Sequence, residues 1–125
     1  MKMRHFLKIA FLTPALAISL SLAGLAQSSG PAPGRPALYE FGSNYCAACK
    51  QMKEVIAALK ASHGDQVEFR LVNVDEDKPL FGQYKILAIP TQVFLDASGK
   101  EVDRHMGALS REEVLKKLKD LKLIR

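Results

Sequence analysis

Two cysteines, Cys46 and Cys49, stand three residues apart in "SNYCAACKQM", where a strand-like run gives way to a helix-like one. They are the only cysteines in the chain. Such a pair can form a structural bridge, supply half of a metal site, or exchange electrons. A bridge closing so short a loop removes little entropy from the unfolded chain, because that stabilisation grows with loop length. A structural zinc site takes four ligands, and only His63 and His105 could complete one, at spacings that match no compact finger. No metal is therefore expected, and exchange chemistry has the stronger claim.

The placement favours it as well. If a helix begins at Cys46, that sulfur faces unpaired backbone N–H groups and the positive end of the helix dipole. Both stabilise a thiolate and make Cys46 a nucleophile near neutral pH. Cys49, one turn on and on the same face, suits attack on a mixed disulfide formed at Cys46. Glu40 interrupts the otherwise apolar "ALYEF". It is either a strand-end carboxylate reaching water or a buried acid of raised pKa that accepts the Cys49 proton. Pro90 in "AIPT" is trans by default. A cis bond there would expose the backbone of Ile89 beside the cysteines.

The elements that must position these groups are legible in order. "ALYEF", 37–41, reads as a buried strand between Pro36 and Gly42. Met52, Val55, Ile56 and Leu59 form a helical stripe that ends near Gly64. "VEFRLVNV", 67–74, is a second strand, and a short helix begins near Pro79. "TQVFL", 91–95, and "KEVDRHM", 100–106, form a hairpin across "DASG". Ser110 to Glu113 make a capping box, and Val114, Leu115, Leu118 and Leu121 stripe the last helix. Strand, helix, strand implies a parallel crossover, and the hairpin adds an antiparallel edge. The predicted class is α/β, with a central mixed four-stranded sheet flanked by helices.

At 125 residues this is at most one small domain with appendages. A hydrophobic share of 48% and a charged share of 25% are those of an ordinary globular chain. The net charge of +5 is concentrated at the start: of 18 Lys and Arg, three (Lys2, Arg4, Lys8) fall in residues 1–26, leaving 15 against 13 acids. So balanced a remainder offers no electrostatic footprint for nucleic acid. "MKMRHFLK" followed by the apolar run from Ile9 to the small residues at Ala23 and Ala26 reads as a secretory signal peptide over 1–26. A retained membrane anchor is the alternative, near the lower length limit for a span. A periplasmic or other extracytoplasmic location is expected on either reading. Residues 27–36, "QSSGPAPGRP", are expected to be a flexible linker, and 37–125 the folded domain.

Over nearly all of 37–125 the chain resembles the thioredoxin superfamily. The resemblance rests on "LYEFGSNYCAACKQM", "LVNVDED", "YKILAIPTQVFLDASGKEV" and "GALSREEVLKKL", in that family's order and spacing. It implies a thioredoxin-like fold in a shortened form, since no first strand and helix fit before Ala37. It implies a redox-active Cys46–Cys49 disulfide in which Cys46 attacks and Cys49 resolves, with Glu40 as a buried proton-relaying acid. It also implies a cis Pro90, and a substrate-docking surface at Tyr45, Ile89, Pro90 and Gly107. Neither cofactor nor metal is called for. There are departures: Ala47-Ala48 replaces Gly-Pro, Tyr45 and Gly42 stand in place of two tryptophans, and Glu54 occupies the site of a helix-kinking proline.

The function expected from this resemblance is an exported protein-disulfide reductase, a monomer acting on oxidised exported proteins. A membrane thiol shuttle is the expected electron donor. An oxidase or isomerase of the same fold, or a docking module whose cysteines are incidental, are the alternatives.

Overall fold

The computed structural model describes residues 30–125; the segment read as a signal peptide lies outside the described residues. In chain order the elements are β1 (Ala37–Gly42), α1 (Ala47–His63), β2 (Glu68–Asn73), α2 (Lys78–Gln83), β3 (Thr91–Leu95), β4 (Glu101–Met106) and α3 (Arg111–Asp120). Among the described residues, no strand or helix precedes Ala37. The strands lie in the order β2-β1-β3-β4. β1 pairs parallel with β2 and antiparallel with β3, and β3 pairs antiparallel with β4.

The central place of β1 follows from its composition. All six of its residues are buried, as an inner strand covered on both faces must be. Its side chains alternate between two cores. Leu38 packs with Met52, Ile56 and Leu59 of α1 and with Val114 and Leu118 of α3. Ala37, Tyr39 and Phe41 pack on the opposite face with Leu80 of α2 and with Val93 and Leu95. Because strand side chains alternate, Glu40 shares the face of Leu38 and is aimed at α1.

The caps follow sequence logic. Ser110 Oγ accepts from the Glu113 amide and a Glu113 carboxylate oxygen accepts from the Ser110 amide, completing the capping box of α3. Asp77 caps α2 by accepting from the Leu80 amide at 3.2 Å, with Pro79 in its first turn. Lys117 donates to Asp103 at 2.6 Å and ties α3 to β4.

The stretch expected to be a free linker is attached at its distal end. The Ala32 amide donates to Glu68 Oε2 at 2.8 Å, the Gly34 amide to the Ala97 carbonyl at 3.1 Å, and Arg35 Nη1 to the Gly64 carbonyl at 3.2 Å. Gly34 supplies the positive φ, +84°, at which the chain turns. Composition alone predicts a tether here because it counts missing apolar side chains, whereas the attachment is made largely by backbone groups.

Candidate active site

The C-terminal end of β1, the start of β3 and the end of β4 meet at one end of the sheet, since Phe41 pairs with Thr91 and Thr91 with Met106. Cys46 follows β1, Pro90 precedes β3 and Gly107 follows β4, so three segments distant in sequence converge. The Gly107 amide donates to the Pro90 carbonyl at 2.8 Å and joins two of them. The Ile89–Pro90 peptide bond is cis.

Cys46 and Cys49 form a disulfide with Cα atoms 5.2 Å apart. Cys46 is the N-cap of the 17-residue α1, and its Sγ accepts from the Cys49 amide at 3.2 Å. Its sulfur therefore occupies the place that a hydroxyl or carboxylate takes in other caps. On reduction, the same N–H groups and dipole favour a thiolate there. Cys46 is partly exposed, whereas Cys49 is only 2% exposed. The outer sulfur is the one a substrate can reach.

Glu40 lies under this pair. It is 2% exposed, and neither carboxyl oxygen has a hydrogen-bond partner in the protein. Burial pushes its pKa up to about 8, against a smaller lowering by the neighbouring Gln92 amide. Gln92 is the β3 residue directly across from Glu40, but its Nε2 donates elsewhere, to the Gly107 carbonyl at 3.1 Å. A cavity of about 200 Å³ opens beside Glu40 and Cys49, lined also by Gly42, Lys53, Leu71 and Glu76. Of the two readings of Glu40, the solvated strand end is excluded by its burial.

The other expected residues lie around the rim. Tyr45 is 90% exposed next to Cys46, and Ile89 is 38% exposed. Pro90 is buried, and Gly107 has φ +105°, a conformation open to glycine. Leu87 (93%) and Met106 (62%) add apolar surface that the sequence reading passed over. His63 ends α1 and His105 lies on β4. Fourteen helical residues put His63 about 21 Å along the axis from Cys49, beyond any shared metal. Among the described residues, no group of three or more His, Cys, Asp or Glu could hold a metal ion.

A family model, Thioredoxin, matches residues 31–120. The chain belongs to the thioredoxin family. Its Cys46–Cys49 disulfide joins the two cysteines of a C-x-x-C sequence at the start of α1. The chain is 37% identical over 98 residues to the thiol:disulfide interchange protein TxlA of Synechococcus elongatus, covering 73% of this chain and 51% of that protein. It is 35% identical over 82 residues to thioredoxin 2 of Chlorobaculum tepidum, covering 66% and 74%. The thioredoxin of Fasciola hepatica superposes with a TM-score of 0.63 at 31% identity, covering 70% of this chain and 82% of that one. The chain thus spans about half the length of the TxlA-type relatives it matches.

Two site residues were missed on sequence. Gly42 enters the sequence reading as a strand boundary and a replaced tryptophan, and the structure adds that it permits the close approach of Cys49. Gln92 enters the sequence reading only as part of the third strand, and yet it breaks "TQVFL" just as Glu40 breaks "ALYEF". A polar residue inside each of two buried strands was the available signal.

Proposed function

We propose that the protein is an exported protein-disulfide reductase. Cys46 thiolate attacks a substrate disulfide, forming a mixed disulfide and releasing one substrate sulfur as thiolate, which is then protonated. Cys49 then loses its proton to Glu40 and attacks Cys46, so the second substrate sulfur leaves and the Cys46–Cys49 disulfide forms. Two electrons pass to the substrate, and an external dithiol must restore the pair. The observation that carries this reading is the partly exposed N-cap Cys46 beside a buried Cys49 that shares a cavity with the buried acid Glu40. The rim residues Tyr45, Ile89, Pro90 and Gly107 are assigned to substrate docking.

Export rests on the pattern of residues 1–26, and an exported reductase would draw electrons from a membrane thiol shuttle and act as a monomer on oxidised exported proteins. The direction of electron flow is tested by the equilibrium reduction potential of Cys46/Cys49. A value near or below about −250 mV supports a reductant, and one near about −120 mV makes the protein an oxidant and ends the proposal. Location is tested by cell fractionation with mass measurement of the mature N-terminus. A cytoplasmic chain that keeps residues 1–26 refutes export.

A further inference from the structure

Gln92 is fully buried, its Nε2 is taken by the Gly107 carbonyl, and its Oε1 has no hydrogen-bond partner in the protein. The orientation of the amide follows from chemistry. A carbonyl oxygen needs a donor, so Nε2 must face Gly107 and Oε1 must face away from it. On the neighbouring strand, directly across the pair, stands Glu40, whose two buried oxygens also lack a protein partner. Directly opposed residues on an antiparallel pair carry Cβ atoms about 5 Å apart on the same face. Two buried groups without partners are thus neighbours, and a carboxyl proton is what would satisfy both.

We propose that Gln92 is a positioning residue of the site: its amide, anchored by Nε2 on Gly107, presents Oε1 to the protonated carboxyl of Glu40, and so couples that proton to the loop that follows β4. The inference rests on the reading of Glu40 as the acid of the exchange reaction. When Glu40 is neutral, its O–H donates to Oε1 while Nε2 keeps Gly107. When Glu40 is ionised, carboxylate and Oε1 repel, and the amide must turn Nε2 toward the carboxylate. Nε2 has two N–H groups, so Gly107 then shares that nitrogen with the carboxylate and its own bond is weakened. Each proton that Cys49 hands to Glu40 therefore re-fastens the Gly107 carbonyl, at the loop whose amide also bonds Pro90.

The charged and titratable groups around this pair come from four elements. Lys53 and Cys49 face the cavity from α1, and Glu76 faces it from the loop after β2. His105 of β4 is the neighbour of Gln92 on its other side, with Glu113 of α3 close enough to feel its charge. In the oxidised protein Cys49 does not titrate, which isolates Glu40 from the thiols.

The test is a pH titration of the oxidised protein by NMR, following the Glu40 carboxyl carbon, the Gln92 side-chain amide and the Gly107 carbonyl. All three should move with one midpoint. In Glu40→Gln the Gln92 and Gly107 signals should become flat. In Gln92→Leu, Glu40 should still titrate while Gly107 no longer follows. A Gly107 carbonyl that stays still while Glu40 titrates overturns the proposal. So does one that still titrates in Glu40→Gln, since it would then be reporting a group other than Glu40. Failure of the acid reading shows elsewhere, as an exchange rate whose pH profile is the same in Glu40→Gln as in the native chain.

Discussion

A Cβ placed on Gly42 would stand 3.1 Å from Cys49 Cβ and 3.2 Å from Cys49 Sγ. The last residue of β1 thus presses against Cys49, and hydrogen is the only side chain that leaves Cys49 where it is. Gly42→Ala should force Cys49 back by a few tenths of an ångström within a filled core. Overpacking of this kind costs about 1–3 kcal/mol, which in a domain of this size lowers Tm by several degrees. Thermal unfolding of oxidised Gly42→Ala checks it, and an unchanged Tm would refute the close packing.

The partly exposed N-cap position of Cys46 and the burial of Cys49 predict different fates for the two single variants. Cys49→Ser should accumulate mixed disulfides with substrate through Cys46, while Cys46→Ser should accumulate none. Non-reducing electrophoresis after incubation with a disulfide-containing protein separates the outcomes. Equal trapping by both variants would remove the asymmetry between attacking and resolving sulfurs.

Burial of Glu40 makes stability depend on pH. The folded chain keeps the carboxyl proton up to about 8, whereas the unfolded chain gives it up near the ordinary 4.5. Between those values the folded state binds more protons, so stability falls as pH rises through the window. The effect is on the order of a few kcal/mol across it. Glu40→Gln should abolish the slope and be the more stable protein relative to the native chain at alkaline pH. Denaturant titrations of the oxidised forms at pH 5 and pH 9 measure this, and parallel behaviour of the two proteins would contradict the buried, neutral carboxyl.

If Glu40 takes the proton of Cys49, the same variant should slow resolution of the mixed disulfide, on the order of 100-fold near neutral pH. The first attack by Cys46 should be little changed. Rapid-mixing kinetics resolve the two steps, and a loss confined to the first step would argue against proton transfer to Glu40.

Ser110 caps α3. Ser110→Ala removes the capping hydroxyl of α3 and should cost about 1 kcal/mol of stability. The exchange rate should hold, because the Ser110 hydroxyl bonds within the cap of α3. A loss of rate at full stability would place α3 in the reaction.

Much of this was legible before any coordinates. The α1 stripe, the capping box and the β3–β4 hairpin are local patterns, set by side-chain periodicity and turn chemistry within a few residues. Cys46 and Cys49 were legible for the same reason, since one helical turn governs their relation. What the residues by themselves left open was everything that depends on strand order. Only the fold places β1 between β2 and β3, and that placement buries Glu40, sets Gln92 across from it and brings Gly107 within reach of Pro90. Desolvation is a property of surroundings: the same carboxyl titrates near 4.5 in water and near 8 here. The sequence by itself determined which groups could exchange electrons, and the tertiary structure decided which acid lies beside them and buried it there.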